Sequence, residues 1–259
     1  MMLMEEKSNI AMANDKITAM REGGRILGGL LADLKEYVKP GMTGKEIDAW
    51  VRKEITARGA EVAYDMLEED FPGAICISIN DQLVHGAPTD EILVEGDKVS
   101  FDLDIYYKGY FTDSAFTMLV GGVGSPAVKK MISVTESAMW EGIEQVRAGA
   151  HIGDIGSAVE KVLRAGKLGV IENYVGHGIG KEMHEAPEVP NYGHKGHGYV
   201  LKAGDTICIE PMSCLGKPKN YVDEDDGWSV KMKDGSIGCH CEHTVLVTED
   251  GYEVLTLAE

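Results

Sequence analysis

Residues 98–120 read KVSFDLDIYYKGYFTDSAFTMLV, two strand-like runs at 98–107 and 110–120 on either side of Lys108-Gly109. A two-residue pair ending in Gly between such runs predicts a tight hairpin. Side chains alternate faces along a strand, so Asp102, Asp104 and Tyr106 share one face and Phe101, Leu103 and Ile105 the other. With a two-residue turn, Asp113 falls on the acidic face, opposite Asp104 and diagonal to Asp102. Carboxylates this close repel, and one is pushed towards its protonated form. A bound divalent cation removes the conflict, so the hairpin is read as part of a metal site rather than a solvated acidic face.

Moving towards the N-terminus, Leu27, Leu30, Leu31, Leu34 and Val38 fall at helical spacing, and Pro40-Gly41 ends that helix. Thr43 with Glu46 is a capping-box signature for a second helix that buries Ile47, Trp50, Val51 and Ile55. A strand-like run follows at 74–79. Beyond the hairpin, Pro126 opens a long helix with Val128, Met131, Ile132, Met139, Ile143 and Val146 on one face.

The pattern then repeats. A shift of 108 positions carries Val38, Gly41, Ile47, Val51 and Lys53 onto Val146, Gly149, Ile155, Val159 and Lys161. The same shift carries Gly96-Asp97 onto Gly204-Asp205, Val99 onto Ile207 and Asp102 onto Glu210. This predicts an α/β fold of duplicated helix–helix–strand halves. Each half delivers one carboxylate, and the two face each other across a pseudo-twofold axis.

Three further segments carry chemistry. His177 lies in Val-Gly-His-Gly-Ile-Gly, where the glycines allow close backbone approach, and His184 follows seven residues later. Glu210 ends a buried-type strand, where an unpartnered charge is costly. Glu242 lies in Cys-His-Cys-Glu-His-Thr, which resembles a zinc string. Alternation splits it: Cys239, Cys241 and His243 face one way, His240 and Glu242 the other, and no second Cys/His pair has zinc-finger spacing. Asp102, Asp113, Glu210 and Glu242 bring four negative charges, which two divalent cations neutralise. Oxygen-rich ligation with one nitrogen points to manganese, iron, cobalt or zinc, and paired ions polarising a carbonyl point to hydrolysis.

Composition narrows the class. The chain has 259 residues, 44% hydrophobic and 26% charged, enough for a substantial core without disulfides. A net charge of −18 disfavours direct binding to nucleic acid or an anionic membrane. The five scattered cysteines fit a reducing compartment, and the start of the chain lacks the basic and apolar regions of a signal peptide. The expectation is a cytoplasmic protein, with a loose polar leader at 1–16 and one catalytic domain at 17–259.

Five ordered strings together resemble the type I methionine aminopeptidases: Asn80–Pro88 (NDQLVHGAP), Asp102 with Asp113, Gly176–His184 (GHGIGKEMH), Ile209-Glu210-Pro211-Met212 and Glu242-His243-Thr244. The resemblance runs from about Ile17 to the end of the chain. It implies the pita-bread fold, a pseudo-symmetric curved central sheet with helices outside, and it selects Asp102 over Asp104 as a ligand. It also implies that Asp113 and Glu242 bridge two metals, that Asp102 completes one site, and that His177 with Glu210 completes the other. Glu210 would be general base and acid, with His85 and His184 holding the scissile peptide. Cys76, Phe71, Met183 and Trp228 would line the selectivity pocket. The implied substrates are N-termini of nascent chains or short peptides, and a monomer is expected.

The sequence departs from the resemblance in the loop at 65–70, where the acids Asp65, Glu68, Glu69 and Asp70 cluster and Glu68 replaces a usual tyrosine. Acids at the pocket rim predict a preference for basic residues after the first position. Two alternatives remain: a pita-bread aminopeptidase of other specificity, such as one cleaving before proline, and a binding module without catalysis on the same scaffold.

Overall fold

A computed structural model describes residues 2–67 and 70–258, with side chains from Asp15 onward. Four helices begin or end where the sequence supplies a signal. Helix α1 (Met2–Tyr37) stops just short of Pro40-Gly41. The leader expected at 1–16 consists mostly of residues whose side chains, through Asn14, lie outside the described residues. Helix α2 (Gly44–Ala57) opens on the expected capping box: Glu46 N donates to Thr43 Oγ1 (3.2 Å) and Thr43 N to Glu46 Oε2 (2.8 Å). Its Ile47, Val51 and Ile55 are fully buried, and the half-buried Trp50 stacks on Tyr37. Helix α3 (Pro126–Ile143) places Pro126 in its first turn behind Ser125, whose hydroxyl accepts from Val128 N. Helix α4 (Ile152–Ala165) is capped by Asp154, which accepts from His151 N at 2.9 Å.

Among the described residues, nine strands form the central antiparallel sheet. Across it lie Glu61–Val62, Lys98–Tyr107, Tyr110–Leu119, Glu242–Val247, Thr206–Ile209, Gly176–Gly178 and Glu185–Val189. Cys76–Ile79 also pairs with Lys98–Tyr107, and Tyr252–Val254 with Glu242–Val247. The hairpin has the expected register, with Asp104 opposite Asp113. Lys108 (φ 49°) and Gly109 (φ 91°) make its turn, both in the left-handed region that a two-residue hairpin of this kind requires. Phe101, Leu103 and Ile105 pack beneath α1 and α2, while Ile207, Ile209 and Val245 pack beneath α3 and α4. The helices thus cover one face, and the acids look out from the other.

The repeat is geometric as well as sequential. Helices α2 and α4 have 14 residues each and stand 108 positions apart. That shift carries the bridge Thr43–Ile92 onto His151–Val200, and the bond from Gly41 N to Leu93 O onto that from Gly149 N to Leu201 O, both 2.8 Å. Gly96 (φ 98°) and Gly204 (φ 93°) make equivalent turns into the equivalent strands.

The halves meet where Tyr110–Leu119 lies beside Glu242–Val247. Two residue pairs form the ladder there, Ala115–Glu242 and Ser114–His243. Beyond them threonine hydroxyls bridge the backbones. Thr117 Oγ1 accepts from His240 N (3.2 Å) and donates to His240 O (2.6 Å). Thr244 Oγ1 accepts from Asp113 N (3.0 Å) and donates to Asp113 O (2.7 Å). A dyad at the Ala115–Glu242 pair therefore exchanges Thr117 with Thr244 and Asp113 with His240. The repeat breaks after Glu210. Where the first half turns back at once through Lys108-Gly109, the second makes a long excursion over 211–241 before rejoining the sheet: Met212–Cys214 pairs with Gly238–His240, and the hairpin Asn220–Val222 with Val230–Met232 is nested between them. Among the described residues, no helix is long and apolar enough to cross a membrane.

Candidate active site

All eleven residues singled out from the sequence line one cavity of about 360 Å³ on the open face of the sheet. Its floor holds Asp102, Asp113, His177, Glu210 and Glu242; its walls hold Phe71, Cys76, His85, Met183, His184 and Trp228. The two long strands present Asp102 and Asp113, and Glu242 starts the strand that closes the seam. Glycines place His177: a Cβ at position 176 would strike Cys208 O, and one at 178 would strike Ala186 O. His177 Nδ1 donates to Gly178 O at 2.9 Å. That bond fixes the tautomer and leaves Nε2 as an acceptor, 3.5 Å from Glu210 Oε1 and 3.8 Å from Asp113 Oδ2.

Donor atoms gather in overlapping sets. Those of Asp113, His177, Cys208 and Glu242 lie within 4.8 Å of one another, as do those of Asp102, His240 and Glu242, and those of Asp102, Asp104 and Asp113. Among the described residues, Asp102 Oδ1, Asp113 Oδ1 and Glu242 Oε1 are buried with no hydrogen-bond partner. Burial, then neighbouring carboxylates, raises the pKa of Asp102, Asp113 and Glu242; burial raises that of Glu210 well above its ordinary value. Burial likewise pulls His177 and His85 down to about 4, so both imidazoles are neutral at physiological pH. Buried acids that repel one another, next to neutral nitrogen donors, fit divalent cations held largely by oxygen.

One part of the wall is aromatic. Phe71 stands edge-on to Trp228 (5.4 Å between ring centroids) and tilted against Tyr64 (4.5 Å). Tyr64 was not singled out from the sequence. It sits on a short 3-10 turn, Ala63–Met66, with its hydroxyl 3.2 Å from Cys76 Sγ, and it supplies a phenol to the cavity wall. Asp104, set aside on resemblance, also lines the cavity, as does His240, which alternation had placed on the Glu242 face. Cys239 and Cys241 point instead into the core beneath α3 and α4. Of the acidic loop, Asp65 pairs with Arg52 at 2.5 Å on the surface; Glu68 and Glu69 lie outside the described residues. Glu185 and Glu188 supply the acids on the cavity wall.

A duplicated antiparallel sheet with buried carboxylates and imidazole at the floor of an apolar cavity is the architecture of a metal-dependent peptidase. The model of metallopeptidase family M24 matches residues 18–249, and the chain belongs to that family, with the pita-bread fold and the divalent-metal use it entails. The chain is 40% identical to the methionine aminopeptidase of Clostridium perfringens over 94% of its own length and 96% of the relative's. It superposes on the crystal structure of methionine aminopeptidase from Rickettsia prowazekii with a TM-score of 0.90 at 36% identity, covering 94% and 97% of the two chains. Prolidase from Pyrococcus furiosus shares the fold alone, at 24% identity and a TM-score of 0.74, and the chain spans 64% of it.

Proposed function

We propose that the chain is a methionine aminopeptidase that hydrolyses the first peptide bond of nascent proteins and short peptides. The observation that carries this reading is the meeting of Asp102, Asp113, His177, Glu210 and Glu242 beneath a wall of Tyr64, Phe71, Cys76, Met183 and Trp228. The long relatives at 35–40% identity support it, and the prolidase likeness, restricted to fold, gives no support to cleavage before proline.

In this reading two divalent ions would be held, one on the Asp102 side and one on the side of His177 with Glu210, with Asp113 and Glu242 serving both. Once bound, such ions would supply charge neutralisation for the acids, polarisation of the scissile carbonyl and acidification of water. Glu210 takes a proton on its carboxylate from the attacking water and returns it to the leaving amine. His85 and His184, at the rim of the floor, donate hydrogen bonds to the peptide as charge builds on its oxygen. Tyr64, Phe71 and Trp228 enclose the unbranched thioether side chain and exclude water from it. The enclosed wall limits the chain to one residue before the cut. The five cysteines are buried and unpaired, which supports work in a reducing compartment such as the cytoplasm; in this reading the protein acts as a monomer.

Protein stripped by chelation and reloaded with cobalt, manganese, iron or zinc should release free methionine from Met-Ala-Ser. Failure with all four metals would favour the non-catalytic binding module; release from Xaa-Pro peptides alone would favour the proline-directed alternative.

A further inference from the structure

His240 lies outside the ligand set just described, yet it is built into the same floor. The residue is 1% exposed, and among the described residues neither ring nitrogen has a hydrogen-bond partner. Both nitrogens lie close to carboxylates. Nδ1 stands 3.8 Å from Asp102 Oδ2, and Nε2 stands 3.3 Å from Glu210 Oε2 and 3.7 Å from Glu242 Oε2. None of these approaches has the geometry of a hydrogen bond. A buried imidazole left unsatisfied on both sides is expensive, because each nitrogen gives up water without compensation. Two buried cysteines flank it in sequence and point the other way, so the strand could have carried an apolar side chain here at lower cost.

The symmetry of the seam gives a second, independent reason. The dyad that exchanges Thr117 with Thr244 exchanges Asp113 with His240, and in each case the threonine hydroxyl clasps the backbone of the exchanged residue. His240 thus occupies in the second half the position that Asp113 occupies in the first. The donor sets fall the same way: Asp113, His177 and Glu242 with Cys208 on one side, Asp102, His240 and Glu242 on the other. Glu242 is common to both, and each side has one imidazole.

We propose that His240 is a sixth metal-binding residue, giving the ion on the Asp102 side a nitrogen ligand to match the one His177 gives its neighbour. Nitrogen on both sides favours iron, cobalt or zinc over manganese or magnesium, which oxygen donors suit better. It also adds no negative charge to a floor already crowded with acids.

This inference rests on the two-ion reading, and one experiment separates them. Metal-free full-length protein is loaded with zinc to saturation, and bound zinc is counted by elemental analysis. The imidazoles coordinated to zinc are counted by X-ray absorption fine structure. Two zinc ions and two imidazoles per chain are expected, falling to one imidazole in His240→Gln. In calorimetric titration that variant should lose at least about tenfold in affinity at one of the two sites and keep the other. One coordinated imidazole in the unaltered protein, or an unchanged count in the variant, would overturn the assignment. A single zinc per chain would overturn the two-ion reading, while the imidazole count still decides His240. Should His240→Gln fail to fold, His240→Asn takes its place.

Discussion

The two halves of the molecule share helices, turns and strand starts, but they finish differently. The first ends in a hairpin closed by Lys108-Gly109; the second takes the excursion over 211–241 before its last strand returns. The common part builds the scaffold, and the unequal part builds the cavity. The excursion brings Trp228 onto Phe71, and its strand Val230–Met232 pairs with Gln82–Val84, beside His85. Equivalent positions have also taken different roles: Asp102 and Glu210 are partners under the repeat, yet Asp102 is proposed as a ligand alone and Glu210 as both ligand and proton carrier. Duplication explains why carboxylates converge, while the departures from it define what the site can hold.

The sharpest way to break this comparison is to neutralise the two partners separately. Glu210→Gln should lower kcat on Met-Ala-Ser by about 10²–10⁴-fold, with folding intact. Asp102→Asn should act first on metal affinity, so that part of its lost activity returns with added metal. Equal rescue of both variants by metal would erase the proposed division of labour.

The seam can be tested next. Thr117→Val and Thr244→Val each strip a hydroxyl that satisfies two backbone groups. Each should cost about 1–3 kcal/mol in urea unfolding, since buried peptide groups are left unpaired. A cost at one position and none at the other would show that the seam is not held symmetrically.

A smaller effect concerns Lys98, whose counterpart in the second half is Thr206. Both donate to carbonyls of neighbouring chain: Lys98 to Ser78 and Gln82, Thr206 to Ile179. Lys98 is fully buried, and burial pulls its pKa down to about 8. An unfolded lysine titrates near 10.5, so between about 8 and 10.5 the unfolded chain binds more protons and stability rises with pH. The ammonium therefore costs stability below that window and is relieved across it. Lys98→Met should remove a rise on the order of 3 kcal/mol from the pH–stability curve. An unchanged slope would locate the rise elsewhere.

The smallest expected effect is on specificity. With Glu185 and Glu188 on the cavity wall, Met-Lys peptides should be cut a few-fold faster than Met-Glu peptides of equal length, as suits partly solvated charge pairs. Equal rates would mean that these acids only face water.

Much of this was legible before the structure. The hairpin, its register and its acidic face followed from period-two alternation and one turn. The helix starts followed from Thr43, Glu46 and Pro126, and the repeat from a single offset. These features are local or periodic, so sequence carries them directly. The excursion was not legible: strands of three residues, such as Met212–Cys214 and Val230–Met232, are too short to show a period and are held by what they pair with. Resemblance, rather than pattern, brought Trp228 into the pocket. Tyr64 was missed because a 3-10 turn points it at Cys76 from outside any strand rhythm. Alternation did put His240 on the Glu242 face, but only the unsatisfied nitrogens and the dyad give that position a meaning.

The hydroxyl-bridged seam has a further consequence for motion. The amides of Asp113 and His240 give their hydrogens to threonines across the boundary rather than to carbonyls within a half. Their hydrogen exchange therefore reports the halves parting, separately from unfolding inside either one. Donors from both halves converge on the cavity floor, so an ion bound there latches the halves together. At a metal concentration of about one hundred times Kd, the latch is worth about 2.7 kcal/mol, and these two amides should exchange about a hundredfold more slowly. In this sense metal supply sets how long the two halves stay closed.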